Sequence, residues 1–170
     1  LHVGTLGPAM LDRLPAATSG FYVAGPFASA DGKALYGGDH GPQSSTEIDG
    51  RQRWGKLAWR FDAGLREGTV HTNLPQGSNA TFVAQRVYCA SPRQQTLSLG
   101  SDDGFVLYVG GQKVAERQVD RAASADQDPA SFPALAGQNV VVLQVVNTGG
   151  QGGFYLRHDA AADALTGDLR

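Results

Sequence analysis

Short runs of hydrophobic residues recur along most of the chain, and residues that favour turns separate them. From residue 57 onwards the runs are LAWRFD, TFVAQRVYCAS, QTLSLGS, FVLYVGG, QKVAERQV, ASFPAL, NVVVLQVVN and GGFYLRHD. Strands repeated every 8–12 residues or so are typical of antiparallel β-sandwiches. FYVAGPF at 21–27 has the same character, and no long segment shows the helical period. The pattern predicts an all-β protein with less than about a tenth of its residues in helix.

The alternation within each run also predicts which side chains point into the sandwich, because successive residues of a strand face opposite sides. The residues predicted to face inward are Val141, Leu143 and Val145 of NVVVLQVVN, and Leu57, Trp59 and Phe61 of LAWRFD. Gln144 marks the opposite face of its run as the more polar one. Trp59 is therefore expected to pack in the core, in preference to forming a stacking surface.

The loops between the strands are predicted to fall into two groups. Successive turns of an antiparallel meander alternate between the two ends of the sheet. If the turn at 101–104 defines the top end, the loops at 119–130 and 147–152 lie there too, whereas the turns at 110–111 and 135–138 lie at the bottom. Polar residues predicted at the top end are Asp102, Asp103, Asp126, Asp128, Asn147 and Gln151.

The adjacent carboxylates Asp102 and Asp103 leave two interpretations open. Aspartates are common in turns because they hydrogen-bond to nearby backbone groups. In that case Ser101–Gly104 forms a tight turn in which Gly104 has a positive φ. Alternatively, carboxylate and amide oxygens that converge from several loops suit Ca²⁺, which takes 6–8 oxygen ligands.

Composition and motifs exclude several classes of function. The chain has 170 residues and a net charge of −2, without a basic patch or an apolar run long enough to cross a bilayer. We therefore expect neither nucleic-acid binding nor membrane insertion. The sequence lacks the motifs of serine hydrolases, zinc proteases and phosphate-binding loops, so a catalytic role is not expected. The single cysteine, Cys89, lies in a strand-like run and is predicted to be a buried thiol.

We expect the chain to be a segment of a longer protein, because it begins with Leu1 and carries no signal peptide. Its predicted parts are an N-terminal extension (1–19), a β-sandwich (20–159) and a C-terminal tail or linker (160–170). The Gly-rich stretch 28–56 is an unusually long loop for a compact domain, and loops of this length often serve a function.

Two longer motifs, LGSDDGFVLYVGGQKV and ALAGQNVVVLQVVNTGGQGGFYLR, resemble the galactose-binding-like jelly rolls. FYVAGPF, GKALYGGDHGPQ, KLAWR, DRAASADQD and GFYLR are similar to the extracytoplasmic module of planctomycetal cytochrome-c-type proteins. A more distant resemblance is to the protective-antigen-like lectin domain. The resemblance covers about residues 20–159. It implies a jelly-roll β-sandwich that binds glycans and belongs to a secreted, periplasmic or cell-surface parent protein.

The lectin resemblance also implies a set of metal ligands. In calcium-dependent lectins of the protective-antigen-like group, an aspartate pair on one loop and an asparagine on another hold the Ca²⁺ that binds sugar hydroxyls. The matching residues here are Asp102, Asp103 and Asn147. The loop after Asn147 lacks a further acid, so Asp126 or Asp128 is expected to complete the set.

The leading interpretation is a non-catalytic carbohydrate-binding module that recognises a polysaccharide or glycan, assisted by Ca²⁺. Its predicted glycan-binding residues are Asp102, Asp103, Asn147, Gln151, Tyr155, Arg157, Trp54 and Tyr36. The rings of Tyr155, Trp54 and Tyr36 are the stacking candidates among them. The alternative is a structural module that packs on other domains of its parent and binds no sugar. A glycan site is expected to expose a ring beside the polar loops, whereas a structural module presents an apolar patch.

Overall fold

A computed structural model describes Gly7 and residues 14–159, which form an antiparallel β-sandwich. The described strands are β1 (Ala17–Thr18), β2 (Phe21–Ala28), β3 (Arg60–Asp62), β4 (His71–Leu74), β5 (Asn79–Cys89), β6 (Arg93–Asp102), β7 (Gly104–Val109), β8 (Gln112–Arg117), β9 (Asp128–Ala134), β10 (Gly137–Asn147) and β11 (Gly152–His158). They are joined by helix α1 (Gly32–Gly37) and a 3-10 turn at Pro42–Ser44. Strands account for 52% and helix for 6%, which confirms the predicted all-β class.

The strands form two sheets whose pairings are all antiparallel. The larger sheet has the order β3-β2-β5-β10-β7-β8, with β1 also paired to β5, and the smaller sheet has the order β4-β11-β6-β9. Among the described strands, the chain changes sheet at every step from β3 to β7 and again between β8 and β9, between β9 and β10, and between β10 and β11. This is the connectivity of a jelly roll, and it differs from the simple meander used above. The loops still alternate between the two ends, because from β2 onwards each strand runs opposite to the next one.

The core between the sheets is built from the side chains that the alternation placed inward. Val141, Leu143 and Val145 of β10 are almost completely buried, as predicted, and pack with Phe105 and Phe154 of the neighbouring strands. Cys89 also lies in this cluster as a free, buried thiol. Burial raises the pKa of this thiol above its ordinary value.

The outer face of the larger sheet is buried as well, which the sequence did not predict. Leu35 and Tyr36 of α1, together with Ile48 and Trp59, form a second hydrophobic cluster on this face. Gln144 was expected to mark a polar face, but it is fully buried there and its amide donates a hydrogen bond to the Leu35 carbonyl. The long segment between β2 and β3 therefore covers the sheet, and Trp59 packs in a core as predicted.

Phe61 is an error of the sequence analysis, because 59% of this residue is exposed. LAWRFD is not one strand: Leu57 closes a tight bridge with Trp54, and only Arg60–Asp62 pairs with β2. The two-residue period therefore does not extend across the whole run. Phe61 lies on an edge strand, with its ring 5.4 Å from that of Tyr22.

The described sandwich begins slightly earlier than expected, since Ala17 and Thr18 already pair with β5. The rest of the predicted N-terminal extension, apart from Gly7 and residues 14–16, lies outside the described residues, as does the predicted tail at 160–170. In the part of the chain that the structure describes, no helix has the length and apolar character needed to cross a membrane.

Candidate functional site

Three loops meet at the top end of the sandwich, as the alternation predicts. They are the sheet crossing at 102–103, the loop 118–127 between β8 and β9, and the loop 148–151 between β10 and β11. Asp103 joins all three, because its carboxylate accepts hydrogen bonds from the other two loops. Each loop also links one sheet to the other, so the site lies across the seam of the sandwich.

Asp103 is a buried carboxylate, 4% exposed, and a cis peptide bond joins it to Asp102. Its Oδ1 accepts a hydrogen bond from the Arg121 N–H at 3.1 Å. Its Oδ2 accepts bonds from the Thr148 N–H at 2.9 Å and the Thr148 hydroxyl at 2.7 Å. Burial acts to raise the pKa of Asp103, but these hydrogen bonds outweigh it and lower that pKa below its ordinary value. Asp103 is therefore held ionised at neutral pH.

Two further carboxylates lie beside Asp103. Burial, followed by the charge of Asp103, raises the pKa of the half-buried Asp102. The pKa of the exposed Asp120 is raised as well, first by a hydrogen bond shared with Asp103 and then by its charge. Like charges at close range disfavour ionisation of both groups. We call Asp102, Asp103 and Asp120 the acidic cluster.

Asp120 is a site residue that the sequence analysis missed. The alternation placed its whole loop at the top end, but Asp126 and Asp128 were chosen from that loop as the additional acids. Asp120 directly follows the end of the β8 run, where the chain is still close to the start of β7. Its position next to a strand end was the feature of the sequence that could have identified Asp120 as a site residue.

The structure does not bring Asp126 and Asp128 to the aspartate pair as free ligands. Asp128 is buried, and its two oxygens accept from Arg117 at 2.6 Å and from Arg121 at 2.5 Å. Asp126 instead pairs with Arg157 at 3.2 Å on the outer face of the smaller sheet. Its pKa is lowered, first by a hydrogen bond from Ser98 and then by Arg157.

Asn147 is only 2% exposed, and its side chain bonds to its own loop and to the segment between β4 and β5. Its amide donates to the Gly150 carbonyl at 3.0 Å and to the Pro75 carbonyl at 3.4 Å, while its oxygen accepts from the Gly149 N–H at 3.2 Å. The exposed Gln151 donates to the Thr72 carbonyl. Asn147 therefore shapes the loop that presents Thr148 to Asp103.

Tyr155 offers no face for stacking, because the residue is 4% exposed. The loop 118–127 lies over this part of the smaller sheet: a Cβ on Gly100 would be 2.0 Å from the Ser124 carbonyl oxygen. The Tyr155 hydroxyl accepts a hydrogen bond from Arg157 Nε at 3.2 Å. Arg157 itself pairs with Asp126 and Asp159. Tyr155, which was predicted to be a stacking ring, is thus covered by a loop.

Tyr36 and Trp54 also differ from exposed stacking rings. Tyr36 is buried in the outer cluster, and its hydroxyl forms a hydrogen bond with the backbone of Val119, the residue before Asp120. Burial, followed in smaller measure by nearby acids, raises its pKa. Trp54 is half-buried, with its ring 5.6 Å from that of Trp59. None of the described contacts of Trp54 is with a top-end loop.

Gly104 does not have the positive φ that a tight turn at Ser101–Gly104 would need. It is the first residue of β7 and pairs with Val146. A side chain is excluded there for another reason: a Cβ would lie 2.0 Å from the Tyr36 hydroxyl oxygen and 2.4 Å from the Arg117 carbonyl oxygen. The glycine allows α1, β7 and β8 to approach each other next to the aspartate pair.

The acidic cluster supplies hard oxygen donors, but it is not a complete metal site as it stands. Within the described residues, no three histidine, cysteine, aspartate or glutamate side chains are grouped so that they could hold an ion. A cation at the cluster would therefore need backbone carbonyl or water oxygens, or a rotation of the exposed Asp120 side chain. Ca²⁺ tolerates such mixed oxygen ligands and flexible geometry.

Comparison with known proteins adds few constraints. No known protein family and no curated protein sequence matches this chain. Among solved structures, the PA14 sugar-binding domain of an RTX adhesin is similar, at 21% identity and a TM-score of 0.32, over 46% of each chain. The PA14 domain of the MpAFP antifreeze protein has 15% identity and a TM-score of 0.40, over 85% of this chain and 66% of that one. A GH31 alpha-xylosidase from Xanthomonas citri has 14% identity and a TM-score of 0.34, over 90% of this chain and 14% of the enzyme. All three TM-scores are below 0.5.

Proposed function

We propose that this chain is a non-catalytic carbohydrate-binding module of a larger secreted, periplasmic or cell-surface protein, with its glycan site at the acidic cluster. The observation that carries the proposal is that the Asp103 carboxylate bonds to two other loops at the seam of the sandwich, with Asp102 and Asp120 beside it. Carboxylates accept hydrogen bonds from sugar hydroxyls, and such bonds to ionised groups are the stronger ones. Because the motifs quoted above resemble those of planctomycetal cytochrome-c-type proteins, we propose such a protein as the parent.

Calcium is part of the proposal as a cation that the acidic cluster would hold only together with backbone carbonyl or water oxygens. Asp102, Asp103 and Asp120 would supply the carboxylates, and Ca²⁺ would supply a centre that holds sugar hydroxyls. The raised pKa values of Asp102 and Asp120 reflect in part repulsion that a cation would relieve. Thr148 and Arg121 keep the Asp103 carboxylate in a fixed orientation for this task. The Asn147 side chain is not included, since its polar atoms already bond within the loop.

A glycan array probed in calcium and again in chelator tests this proposal. The wild type is expected to bind a set of glycans in calcium and to lose them in chelator. Asp102→Asn/Asp103→Asn should lose them in both buffers, whereas Asp126→Asn, a change of the same kind outside the cluster, should retain them. Binding that survives the chelator would remove calcium from the proposal but keep the glycan site. Failure to bind any glycan would refute the carbohydrate-binding function.

A second candidate is a structural module that packs on another domain of its parent. Among the described residues, the large hydrophobic side chains that are most exposed are Phe61, Val70, Tyr88 and Leu135, and none of them lies in the top-end loops. The bottom end instead carries a cavity of about 570 Å³ whose apolar lining includes Val109, Phe132 and Leu135. Leu135 is 68% exposed at its rim. An apolar cavity with an exposed leucine is a suitable surface for a neighbouring domain.

The two candidates predict different results for a change at Leu135, at the bottom end. If the module is structural, Leu135→Ser should weaken its association with the adjoining domain, and no glycan on the array should be retained. If it binds glycans at the top end, Leu135→Ser should leave the array pattern unchanged.

A further inference from the structure

Two exposed aromatic rings lie on the outer face of the larger sheet, outside the part that the segment between β2 and β3 covers. Phe61 of β3 is 59% exposed, and Tyr88 of β5 is 43% exposed. Phe61 is paired with Tyr22, which is paired with Ala84 of β5, and Tyr88 lies four residues further along that strand. Both rings therefore share one face, and the strand spacing and rise place them about 16 Å apart.

We propose that these two rings, together with Tyr22 and Arg86, form a second carbohydrate-binding site, which stacks the sugar rings of a neutral polysaccharide. We call these four residues the outer aromatic surface. The ring of a sugar presents apolar C–H groups on its faces and hydroxyl groups around its rim. A surface that combines aromatic rings with hydrogen-bonding groups is complementary to both. This site goes beyond the proposed function, because it uses neither the acidic cluster nor a cation.

The side chain of Phe61 is held in place although it is exposed. Its ring packs on the backbone of Gly20, where a Cβ would lie 2.6 Å from the ring carbon Cε2 and 3.1 Å from Cζ. The ring of Tyr22 contacts it edge-on, with the two centroids 5.4 Å apart and the planes at 63°. A ring that is already fixed loses little conformational freedom when a ligand stacks on it, so ordering it on binding costs little.

Arg86 supplies polar groups beside the rings. Its guanidinium lies 5.0 Å from the centroid of the Tyr22 ring, and it donates to the Tyr22 hydroxyl at 3.0 Å and to the Ile48 carbonyl at 2.9 Å. A guanidinium has five N–H donors, so these two bonds leave others for sugar hydroxyls. The Tyr22 hydroxyl accepts in its bond with Arg86, and its own proton can therefore be donated to a ligand.

The composition of this surface favours a sugar over a neighbouring protein domain. A stable protein interface needs about 800 Å² from each partner, with a continuous apolar centre. Among the described residues, the large aliphatic side chains that are exposed are Val70 and Leu135, which lie before β4 and between β9 and β10. The outer aromatic surface therefore offers two separate rings with an arginine beside them. Separate rings match successive sugars of one chain.

The same geometry predicts which glycans this surface retains. One stacked ring with a few hydrogen bonds holds a single sugar weakly. A polysaccharide repeats its sugars many times, which raises their effective concentration at the surface. Long chains should therefore be retained here, whereas the short glycans of an array report on the acidic cluster.

Affinity electrophoresis of the full chain tests this inference, in native gels that contain xyloglucan, mixed-linkage β-glucan, galactomannan or dextran, with chelator throughout. Relative to a gel without polysaccharide, the wild type should be retarded by at least one of them. Phe61→Ala and Tyr88→Ala should each weaken that binding at least about fivefold. Phe61→Trp should retain it and Phe61→Leu should lose it, because stacking needs a flat ring. Val70→Ala, the matched loss of an exposed apolar side chain elsewhere, should stay within twofold of the wild type.

The outcomes separate this inference from the proposed function. Asp102→Asn/Asp103→Asn should be retarded like the wild type, whereas Phe61→Ala should keep the wild-type pattern on the glycan array in calcium. A wild type that no polysaccharide retards overturns the inference and leaves the site at the acidic cluster to the array. Equal retardation of Phe61→Leu and the wild type also overturns it, because apolar contact without stacking would then suffice. Loss of retardation in the double aspartate variant would show that the polysaccharide binds at the top end instead.

Discussion

Replacing Gly104 by alanine tests the close packing behind the aspartate pair. The added Cβ would lie 2.0 Å from the Tyr36 hydroxyl oxygen and 2.4 Å from the Arg117 carbonyl oxygen. Ordinary contacts begin near 3.4 Å, so each neighbour would have to move by an ångström or more. Tyr36 is buried in the outer cluster, and Arg117 pairs with Phe105 at the end of β8. Packing therefore restrains Tyr36, and strand pairing restrains the Arg117 backbone.

The expected cost follows from which groups would have to move. Adding a methyl group to a filled interior typically costs about 1–3 kcal/mol. The carbonyl of Arg117 cannot retreat without disturbing the β7–β8 pairing, and displacing Tyr36 also loses the hydrogen bond to Val119, worth about 1 kcal/mol. We therefore expect Gly104→Ala to lower the free energy of unfolding by about 3 kcal/mol.

Urea unfolding monitored by tryptophan fluorescence measures this change. Gly149→Ala is the matched control, because a Cβ there meets nothing within 4 Å, and it should change the free energy of unfolding by less than about 0.5 kcal/mol. Tyr36→Phe removes the nearest obstacle, so adding it to Gly104→Ala should recover part of the loss but not all, since the Arg117 carbonyl remains. A Gly104→Ala protein as stable as the control would refute the packing argument.

Three further results are expected. Calcium at about 100 times its dissociation constant should stabilise the wild type by about 2.7 kcal/mol, raising its melting temperature, and should not do so for Asp102→Asn/Asp103→Asn; equal shifts in both would contradict the site. Asp120→Asn should stabilise the calcium-free protein at pH 7, because a carboxyl whose pKa is raised on folding disfavours the folded state when ionised. This gain should disappear as the pH falls through that raised pKa, and urea unfolding that shows the same gain at pH 7 and at about pH 3.5 would argue against it. Cys89 should react with a thiol reagent only after unfolding, because it is buried and its pKa is raised, and rapid labelling of the folded protein would count against the described core.

The sequence was sufficient to predict the fold class and the end of the molecule where the three loops meet. The alternation in NVVVLQVVN identified Val141, Leu143 and Val145 as core residues, because a two-residue period is a direct property of a strand. The order of the predicted strands correctly placed the three loops at one end, although most consecutive strands belong to different sheets. The direction of the chain reverses at each loop whichever sheet comes next, and so the inference survived a wrong topology.

The roles of individual site residues could not be predicted in the same way. Whether an aspartate is free depends on which arginine reaches it, and the partners of Asp128 are 7 and 11 positions away along the chain. Tyr155 has the parity of an outward residue, but the alternation does not show that another loop covers it. Gly104 looked like a turn residue, whereas its neighbours Tyr36 and Arg117 come from distant segments. Such contacts are tertiary and leave no local pattern.

The three crossings between the sheets that meet at the top end have a mechanical consequence. A sandwich whose sheets are joined mainly by side-chain packing resists being pulled apart, but its layers slide more easily past one another. The sheet crossing at 102–103 and the loops 118–127 and 148–151 all meet at Asp103. A cation bound at this point would cross-link the two sheets and oppose their sliding. If the module binds a glycan there, as proposed, cation binding would increase both its affinity for the sugar and its resistance to shear when force is applied through that sugar.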